Sequence, residues 1–180
     1  MIKIPPKQSL VGTKKQLQKI KNTFEAVSMF RSIRFIIDID GKEFKHYHYP
    51  QSHKELRRNL LSLKKFPPHS SVMYKKSLVE KLGNYRGMIK RAEDHDLWLR
   101  MSEVTDLHCC NKSVTYIRKH ESQISNESDG LTQHRDAFIS VFCAHARSLG
   151  CQEPIYLCKQ DFSEFEIELD EVLNRFQFYD

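Results

Sequence analysis

Glu93 and Asp94 are adjacent carboxylates that open an amphipathic run, with Asp96, Trp98 and Arg100 behind them. Acidic side chains in the first turn of a helix are stabilised by its positive end, and an Asp there can also cap free backbone N–H groups. A carboxylate at this rigid edge can take a proton from a substrate hydroxyl if it faces a cleft. The run therefore predicts either a general base or an ordinary helix cap, and its flanks have to decide between the two.

Three further segments flank this run in a fixed order. Upstream are residues 67–76, which begin Pro-Pro-His-Ser-Ser, and residues 82–86, which read Leu-Gly-Asn-Tyr-Arg. Downstream are residues 116–125, which begin Tyr-Ile-Arg-Lys-His. Together the four pieces resemble the second half of a family 2 glycosyltransferase of the GT-A type, over roughly residues 34–126.

The resemblance implies that a sugar is transferred, with inversion, from a nucleotide-sugar donor to a glycan or lipid-linked acceptor. Asp94 would be the base that deprotonates the acceptor hydroxyl. Glu93 would orient Asp94 or bind hydroxyls of the donor sugar. The family also implies a divalent metal, Mn or Mg, beside the sugar diphosphate.

Four other residues are candidates for substrate binding. The resemblance places His69 on the active-site side, and it places Arg118 and His120 near the diphosphate. A guanidinium suits phosphate oxygens, and an imidazole can donate to them or bind a metal. Trp98 offers a flat surface to an acceptor sugar, or else packs in the core. The alternatives are a capping or core role for His69 and a solvated loop for Arg118 and His120.

The first half of that family carries a parallel nucleotide-binding βαβ unit and a metal-binding Asp-x-Asp motif. Nothing before residue 34 resembles this unit, so we expect an incomplete transferase. Asp38-Ile39-Asp40 spells Asp-x-Asp, but Gly41 follows it, and Asp-Gly between two alternating segments is typical of a hairpin turn. We favour the hairpin and leave the metal ligands unassigned. The alternative function is a non-catalytic binding or regulatory module derived from the same scaffold.

Composition limits the other functions. With 39% hydrophobic and 29% charged residues among 180, the sequence is typical of one globular domain, and no apolar run is long enough to span a bilayer. The N-terminus lacks the apolar stretch of a signal peptide, so we expect a cytoplasmic protein. Five irregularly spaced cysteines argue against a disulfide framework. The net charge of +6 comes without a recognised nucleic-acid-binding motif, so no nucleic acid is expected.

Charge is uneven along the chain. Residues 1–34 carry eight basic side chains against Glu25 alone, and residues 161–171 carry six acidic side chains and no basic one. The two ends can attract each other within one fold or across a dimer, and the basic end can also contact an anionic membrane surface. A solvated helix face is the simpler interpretation of each.

The periodicity predicts an α/β or α+β fold in which helices flank a small mixed sheet, and the resemblance implies that it is a partial GT-A-like domain. Helices are predicted at 13–30, 53–63, 75–82, 94–104, 131–149 and from 161, and strands at 33–39, 43–49, 70–74, 107–110 and 114–118. Residues 1–130 form the partial domain, with 1–33 as a basic helical arm, and residues 131–180 form a helical C-terminal extension packed on it. Because such a sheet exposes an edge, the basic N-terminal helix, the C-terminal helix or a second copy of the chain is expected to cover it, and we favour the second copy.

Overall fold

A computed structural model of the chain describes residues 29–37, 40–118 and 130–175. Within these ranges the strands are β1 (Met29–Ile37), β2 (Glu43–Tyr47), β3 (Val72–Tyr74) and β4 (Leu107–Arg118). The α-helices are α1 (His53–Leu61), α2 (Lys76–Lys81), α3 (Glu93–Val104), α4 (Gly130–Ser148) and α5 (Lys159–Arg175). Short 3₁₀ turns cover His69–Ser71 and Pro154–Tyr156. None of these described helices is long and apolar enough to cross a bilayer. The mixture of helices and strands is that of an α/β or α+β protein.

The strands form a mixed sheet around β1. β4 runs parallel to β1 and pairs with it from Met29 to Ile37. β3 pairs antiparallel with the first three residues of β1, and β2 pairs antiparallel with its second half. A parallel pair requires a long crossover connection, which here is the chain between β1 and β4. The Glu93-Asp94 run lies in this crossover, at the start of α3.

The predicted Asp40-Gly41 hairpin is confirmed. β1 and β2 pair antiparallel on either side of it, and Gly41 has a φ of +85°. Glycine adopts such a left-handed φ without a steric penalty, which is why the Asp-Gly pair predicts the turn. Asp38 and Ile39 lie outside the described residues.

Two predicted helix ends are also confirmed. The side chain of Ser52 caps α1, because its Oγ accepts the backbone N–H of Glu55 at 3.3 Å. Leu56 and Leu60 of that helix are wholly buried, as the apolar spacing predicts. Gly83 follows α2 with a φ of +81°, the left-handed conformation that ends many helices.

Two secondary-structure predictions, one of a helix and one of a pair of strands, need correction. The predicted helix at 13–30 is wrong at its end, because Met29 and Phe30 begin β1, where pairing with β3 and β4 overrides the helical spacing. Residues 13–28 lie outside the described part of the chain. The two strands predicted between 107 and 118 are one strand, β4, whose register against β1 shifts between Arg31 and Arg34. Such a bulge accommodates the extra polar residues without ending the strand.

Helix α3 is the centre of the packing. Every residue from His95 to Ser102 is buried, whereas Val104, the last residue of the helix, is 57% exposed. One apolar cluster lies around α1 and α3, and a second joins α4 and α5 to the loop before α3. A helix that is buried all round has no solvent-facing stripe. Its charged residues, Asp96 and Arg100, therefore need partners inside the protein.

Candidate functional site

The Glu93-Asp94 pair begins α3. Ala92 is the N-cap residue and makes no side-chain cap, so the first N–H groups of the helix depend on the acids that follow. Oδ1 of Asp94 accepts the backbone N–H of His95 at 2.7 Å, which confirms part of the capping interpretation. Both carboxylates are half-buried, and Oδ2 of Asp94 accepts no hydrogen bond from the described residues. One oxygen of Asp94 thus serves the helix, and the other accepts no hydrogen bond within the described part of the chain.

Tyr85 lies beside this pair and connects two other residues of the quoted segments. Its hydroxyl is 2.9 Å from that of Tyr74 and 2.8 Å from Nε2 of His69. The rings of His69 and Tyr85 are 5.7 Å apart, and both residues are exposed. A ligand can therefore reach these polar atoms from solvent. We call His69, Tyr74, Tyr85, Glu93 and Asp94 the open cluster.

The surroundings of Tyr85 raise the pKa of its hydroxyl. Burial raises its pKa well above the usual value, and the hydrogen bond to Tyr74 and the negative charges of Asp94 and Glu93 raise the pKa further. The hydroxyl therefore stays protonated at neutral pH. Both carboxylates therefore act electrostatically on the Tyr85 hydroxyl. The open cluster thus combines acceptor carboxylates with a donor hydroxyl, which complements the hydroxyl groups of a sugar.

Trp98 lies beneath the open cluster, and its ring has no exposed face there. Its side chain is 0% exposed, and its ring contacts those of Tyr74 and His69 at centroid distances of 5.6 and 5.7 Å. A ring without exposed area presents no face to an acceptor sugar, so the structure supports the core-packing alternative for Trp98. Its contribution is to hold the rings of His69 and Tyr74 in place.

Asp96, two residues after Asp94, is fully buried and paired with two arginines. Its Oδ2 accepts Nε–H from Arg86 and from Arg100, both at 3.0 Å, and its Oδ1 accepts a further bond from Arg86. Arg86 also pairs with Glu153, just before the second 3₁₀ turn. Burial by itself lowers the pKa of Arg86, but Asp96 and Glu153 outweigh burial and raise that pKa above its usual value. We call Arg86, Asp96, Arg100 and Glu153 the closed cluster.

The closed cluster fixes the loop that carries Tyr85. Arg100 donates to the carbonyl oxygens of Leu82 and Asn84 at 2.6 and 2.7 Å, immediately before Tyr85. Arg86, immediately after Tyr85, is held by its carboxylate partners. The loop is therefore tied to the protein interior on both sides of Tyr85.

The C-terminal helices hold the other end of this loop. The buried carboxylate of Asp136, in α4, accepts the backbone N–H groups of Lys90 and Arg91, both at 2.9 Å. Arg147, also in α4, pairs with Glu153 and forms two bonds of 2.8 Å to Glu103 at the end of α3. These contacts fix the path of the backbone that leads into Glu93-Asp94 and therefore help to position the open cluster.

Of the predicted site residues, His69 contacts Tyr85 directly, and Glu93 and Asp94 act on the Tyr85 hydroxyl through their charges. Arg118 is the last residue of β4, and its side chain and the whole of His120 lie outside the described part of the chain. Their role at the diphosphate therefore stays a prediction.

Sequence reasoning assigned no role to six residues that the structure shows in the two clusters: Tyr74, Tyr85, Arg86, Asp96, Arg100 and Glu153. For Asp96 a signal existed, because Asp96 and Arg100 stand four residues apart on a helix, the spacing of an ion pair. For Tyr85 and Arg86 the sequence does not indicate which cluster each side chain joins.

The described residues do not assemble a metal site. No group of three or more His, Cys, Asp or Glu side chains comes together among them. Asp40 is exposed in the turn between β1 and β2, and Asp38 is not described. Because Mn and Mg need several oxygen ligands, this part of the chain does not fit such an ion, and we assign no chemical step to one.

The glycosyltransferase resemblance therefore rests on residues of this sequence. Neither a comparison with models of known protein families nor a comparison with curated proteins finds a match for this chain.

Proposed function

We propose that this protein carries the acceptor side of an inverting, GT-A-type glycosyltransferase, which transfers a sugar from a nucleotide-sugar donor to a glycan or lipid-linked acceptor. The supporting observation is the open cluster. His69, Tyr85 and the Glu93-Asp94 pair come from three of the four segments of the resemblance; His69 bonds the exposed Tyr85, and the charges of the half-buried Glu93 and Asp94 act on the Tyr85 hydroxyl. Such convergence is what an active site requires of residues that are spread along a sequence.

In the proposed reaction Asp94 is the base, and it acts through Oδ2. An acceptor hydroxyl within hydrogen-bond distance of Oδ2 gives its proton to the carboxylate while its oxygen attacks the anomeric carbon of the donor sugar. The bond from that carbon to the diphosphate breaks, and the nucleoside diphosphate leaves with the electron pair. Oδ1 stays bound to the N–H of His95, which keeps the carboxylate in one orientation.

The other members of the open cluster orient the sugars. The Tyr85 hydroxyl has one proton, so it donates to a sugar oxygen when that oxygen replaces Tyr74 as the acceptor, while His69 holds the Tyr85 oxygen by donating from Nε2. Glu93 orients Asp94 or accepts hydroxyls of the donor sugar. The positive end of α3 favours negative charge on both carboxylates.

Two further parts of the proposal concern the diphosphate-binding residues and the cellular location. Arg118 and His120 bind the leaving diphosphate, for which a guanidinium and an imidazole are suited. The reaction takes place in the cytoplasm, the location that the composition favours.

The non-catalytic binding module remains the second candidate. The bond from Asp94 to the N–H of His95 favours it, because a scaffold that only binds sugars also needs this cap. The two candidates differ in one respect: a binding module holds sugars without releasing a nucleoside diphosphate.

An assay of nucleoside diphosphate release tests the proposal. The chain is incubated with a panel of nucleotide sugars and glycan acceptors, and Asp94→Asn is compared with the wild type. We expect Asp94→Asn to lower turnover by about 10²- to 10⁴-fold, the usual contribution of a general base.

The matched control is Asp106→Asn, because the side chain of Asp106 is 82% exposed. It should leave turnover unchanged. Turnover that survives in Asp94→Asn would remove Asp94 from the proposed role. Sugar binding without any release, by the chain alone and also after a nucleotide-binding half is supplied in trans, would favour the binding module instead.

A further inference from the structure

Helix α5 has an apolar inner face and a mixed outer face. Leu169 and Leu173 are buried against α4 and the loop before α3, with Phe162 and Phe165 packed beside them. The outer face follows the spacing of three and four residues and is exposed throughout: Glu164, Ile167, Glu168, Glu171 and Val172. Ile167 and Val172 are 60% and 47% exposed, and they flank the three carboxylates. We call these five residues the outer face of α5.

The three carboxylates of the outer face repel one another. Their spacing of three or four residues makes them neighbours on the helix, and like-charge neighbours destabilise a helix. The ion pairs that α5 forms with the described residues lie elsewhere on it, where Arg135 contacts Glu166 and Asp170 at 3.8 and 3.5 Å. Among the described residues, the outer face has no cationic partner.

A segment of the same chain has the complementary composition. Residues 3–21 contain six lysines, and Glu25 is the only acidic residue among the first 28. Leu17 and Ile20 stand between the lysines at helical spacing, with Phe24 and Val27 continuing the row. Lysines can pair with the carboxylates of the outer face while aliphatic side chains cover Ile167 and Val172.

The connection to β1 is long enough for this contact. Lys21 stands eight residues before Met29, where β1 begins. An extended chain spans ~3.5 Å per residue, so Lys21 can lie as far as ~28 Å from Met29, and Lys14 farther. A compact domain of this length has a radius of gyration of about 16 Å. The segment can therefore reach a helix on the other side of the molecule.

We infer that the outer face of α5 binds the basic segment at residues 13–28 of the same chain. The contact joins the region before β1 to the last helix, and it weakens with salt because its charges are at the surface. This inference is independent of the proposed function, since it involves no residue of the open cluster.

Zero-length carbodiimide cross-linking of the full chain tests the inference, because it joins only carboxylates and amines that are in contact. An equal mixture of ¹⁴N- and ¹⁵N-labelled protein separates links within a chain from links between copies. We expect links from Glu164, Glu168 or Glu171 to Lys14, Lys15 or Lys19, all within one isotope. Mixed-isotope links would make a second copy the occupant and overturn the inference. An absence of such links from the folded protein would also overturn it.

A charge-reversal variant supplies a second readout. In Glu164→Lys/Glu168→Lys/Glu171→Lys, acetylation of Lys14, Lys15 and Lys19 should become about two- to five-fold faster, the factor expected when weak surface ion pairs are lost. The control is Glu55→Lys/Glu80→Lys, which reverses exposed acids on α1 and α2. Equal acetylation rates in the wild type and the α5 variant would contradict the inference.

Discussion

The open and closed clusters share two segments, the loop at residues 82–86 and α3, yet they hold charge in opposite ways. In the loop, Tyr85 joins the open cluster, and the adjacent Arg86 joins the closed one. In α3, Asp94 is half-buried with one oxygen unbonded by the described residues, whereas Asp96 is 0% exposed and bound by two arginines. Neighbouring residues therefore have different tasks, and chemical type alone does not separate them.

Helix geometry explains the division. Successive residues of an α-helix are turned by about 100°, so Asp94 and Asp96 project from nearly opposite sides of α3. One side meets the exposed hydroxyl of Tyr85, and the other meets Arg86, which also holds Glu153. The closed cluster can therefore position the open one without competing for its ligands.

The largest effect on stability should come from breaking the closed cluster. We expect Arg86→Ala to lower the free energy of unfolding by about 3 kcal/mol, because it removes the cation that Asp96 and Glu153 share. Arg100 still pairs with Asp96, which keeps the loss at the lower end of the range for broken buried pairs. Urea denaturation measures the change.

Arg58→Ala is the matched control, because Arg58 is an exposed arginine in α1. It should change the free energy of unfolding by no more than about 0.5 kcal/mol. If Arg86→Ala lowered the free energy of unfolding as little as Arg58→Ala does, the closed cluster would not be what fixes the Tyr85 loop.

A smaller effect concerns Cys143, which is 0% exposed in α4. Burial raises the pKa of its thiol from the usual 9.0 to about 11. Below pH 9 the folded and unfolded chains both keep the proton, so this thiol does not change stability there. Between pH 9 and 11 the unfolded chain loses the proton first, so stability falls as pH rises, by about 2–3 kcal/mol in all. Urea midpoints between pH 8 and 11 should fall less steeply for Cys143→Ala, and identical slopes for both proteins would refute the assignment.

The smallest effect on stability is expected in the open cluster itself. Tyr85→Phe removes the hydroxyl that bonds His69 and Tyr74, but the site is exposed, so the free energy of unfolding should fall by less than about 1 kcal/mol. Affinity for a sugar acceptor should fall by about three- to ten-fold, the value of one hydrogen bond. Calorimetry measures the affinity, and an unchanged value would place the acceptor away from Tyr85.

Local signals predicted the parts of the fold that depend on neighbouring residues. The Ser52 cap, the turn at Gly41 and the end of α2 at Gly83 follow from the backbone chemistry of one or two residues. The Glu93-Asp94 pair at the start of a helix was predictable for the same reason.

Tertiary contacts decided the rest, and the sequence does not display them. Trp98 is buried because rings from distant segments cover it, and its position on the helix does not reveal this. Arg86 and Glu153 pair across 67 residues of chain, so no local spacing predicts the closed cluster. Likewise, β4 continues through a polar stretch because its neighbour β1 tolerates the bulge.

The most direct test of this account compares Asp94→Asn with Asp96→Asn in one urea denaturation experiment. Asp94→Asn keeps an oxygen for the N–H of His95 and loses only a favourable charge at the helix end, so the free energy of unfolding should change by no more than about 1 kcal/mol. Asp96→Asn leaves two buried arginines without their shared anion and should lower that free energy by about 3–5 kcal/mol. Equal losses in the two variants would contradict the claim that Asp94 is held for a ligand and Asp96 for the fold.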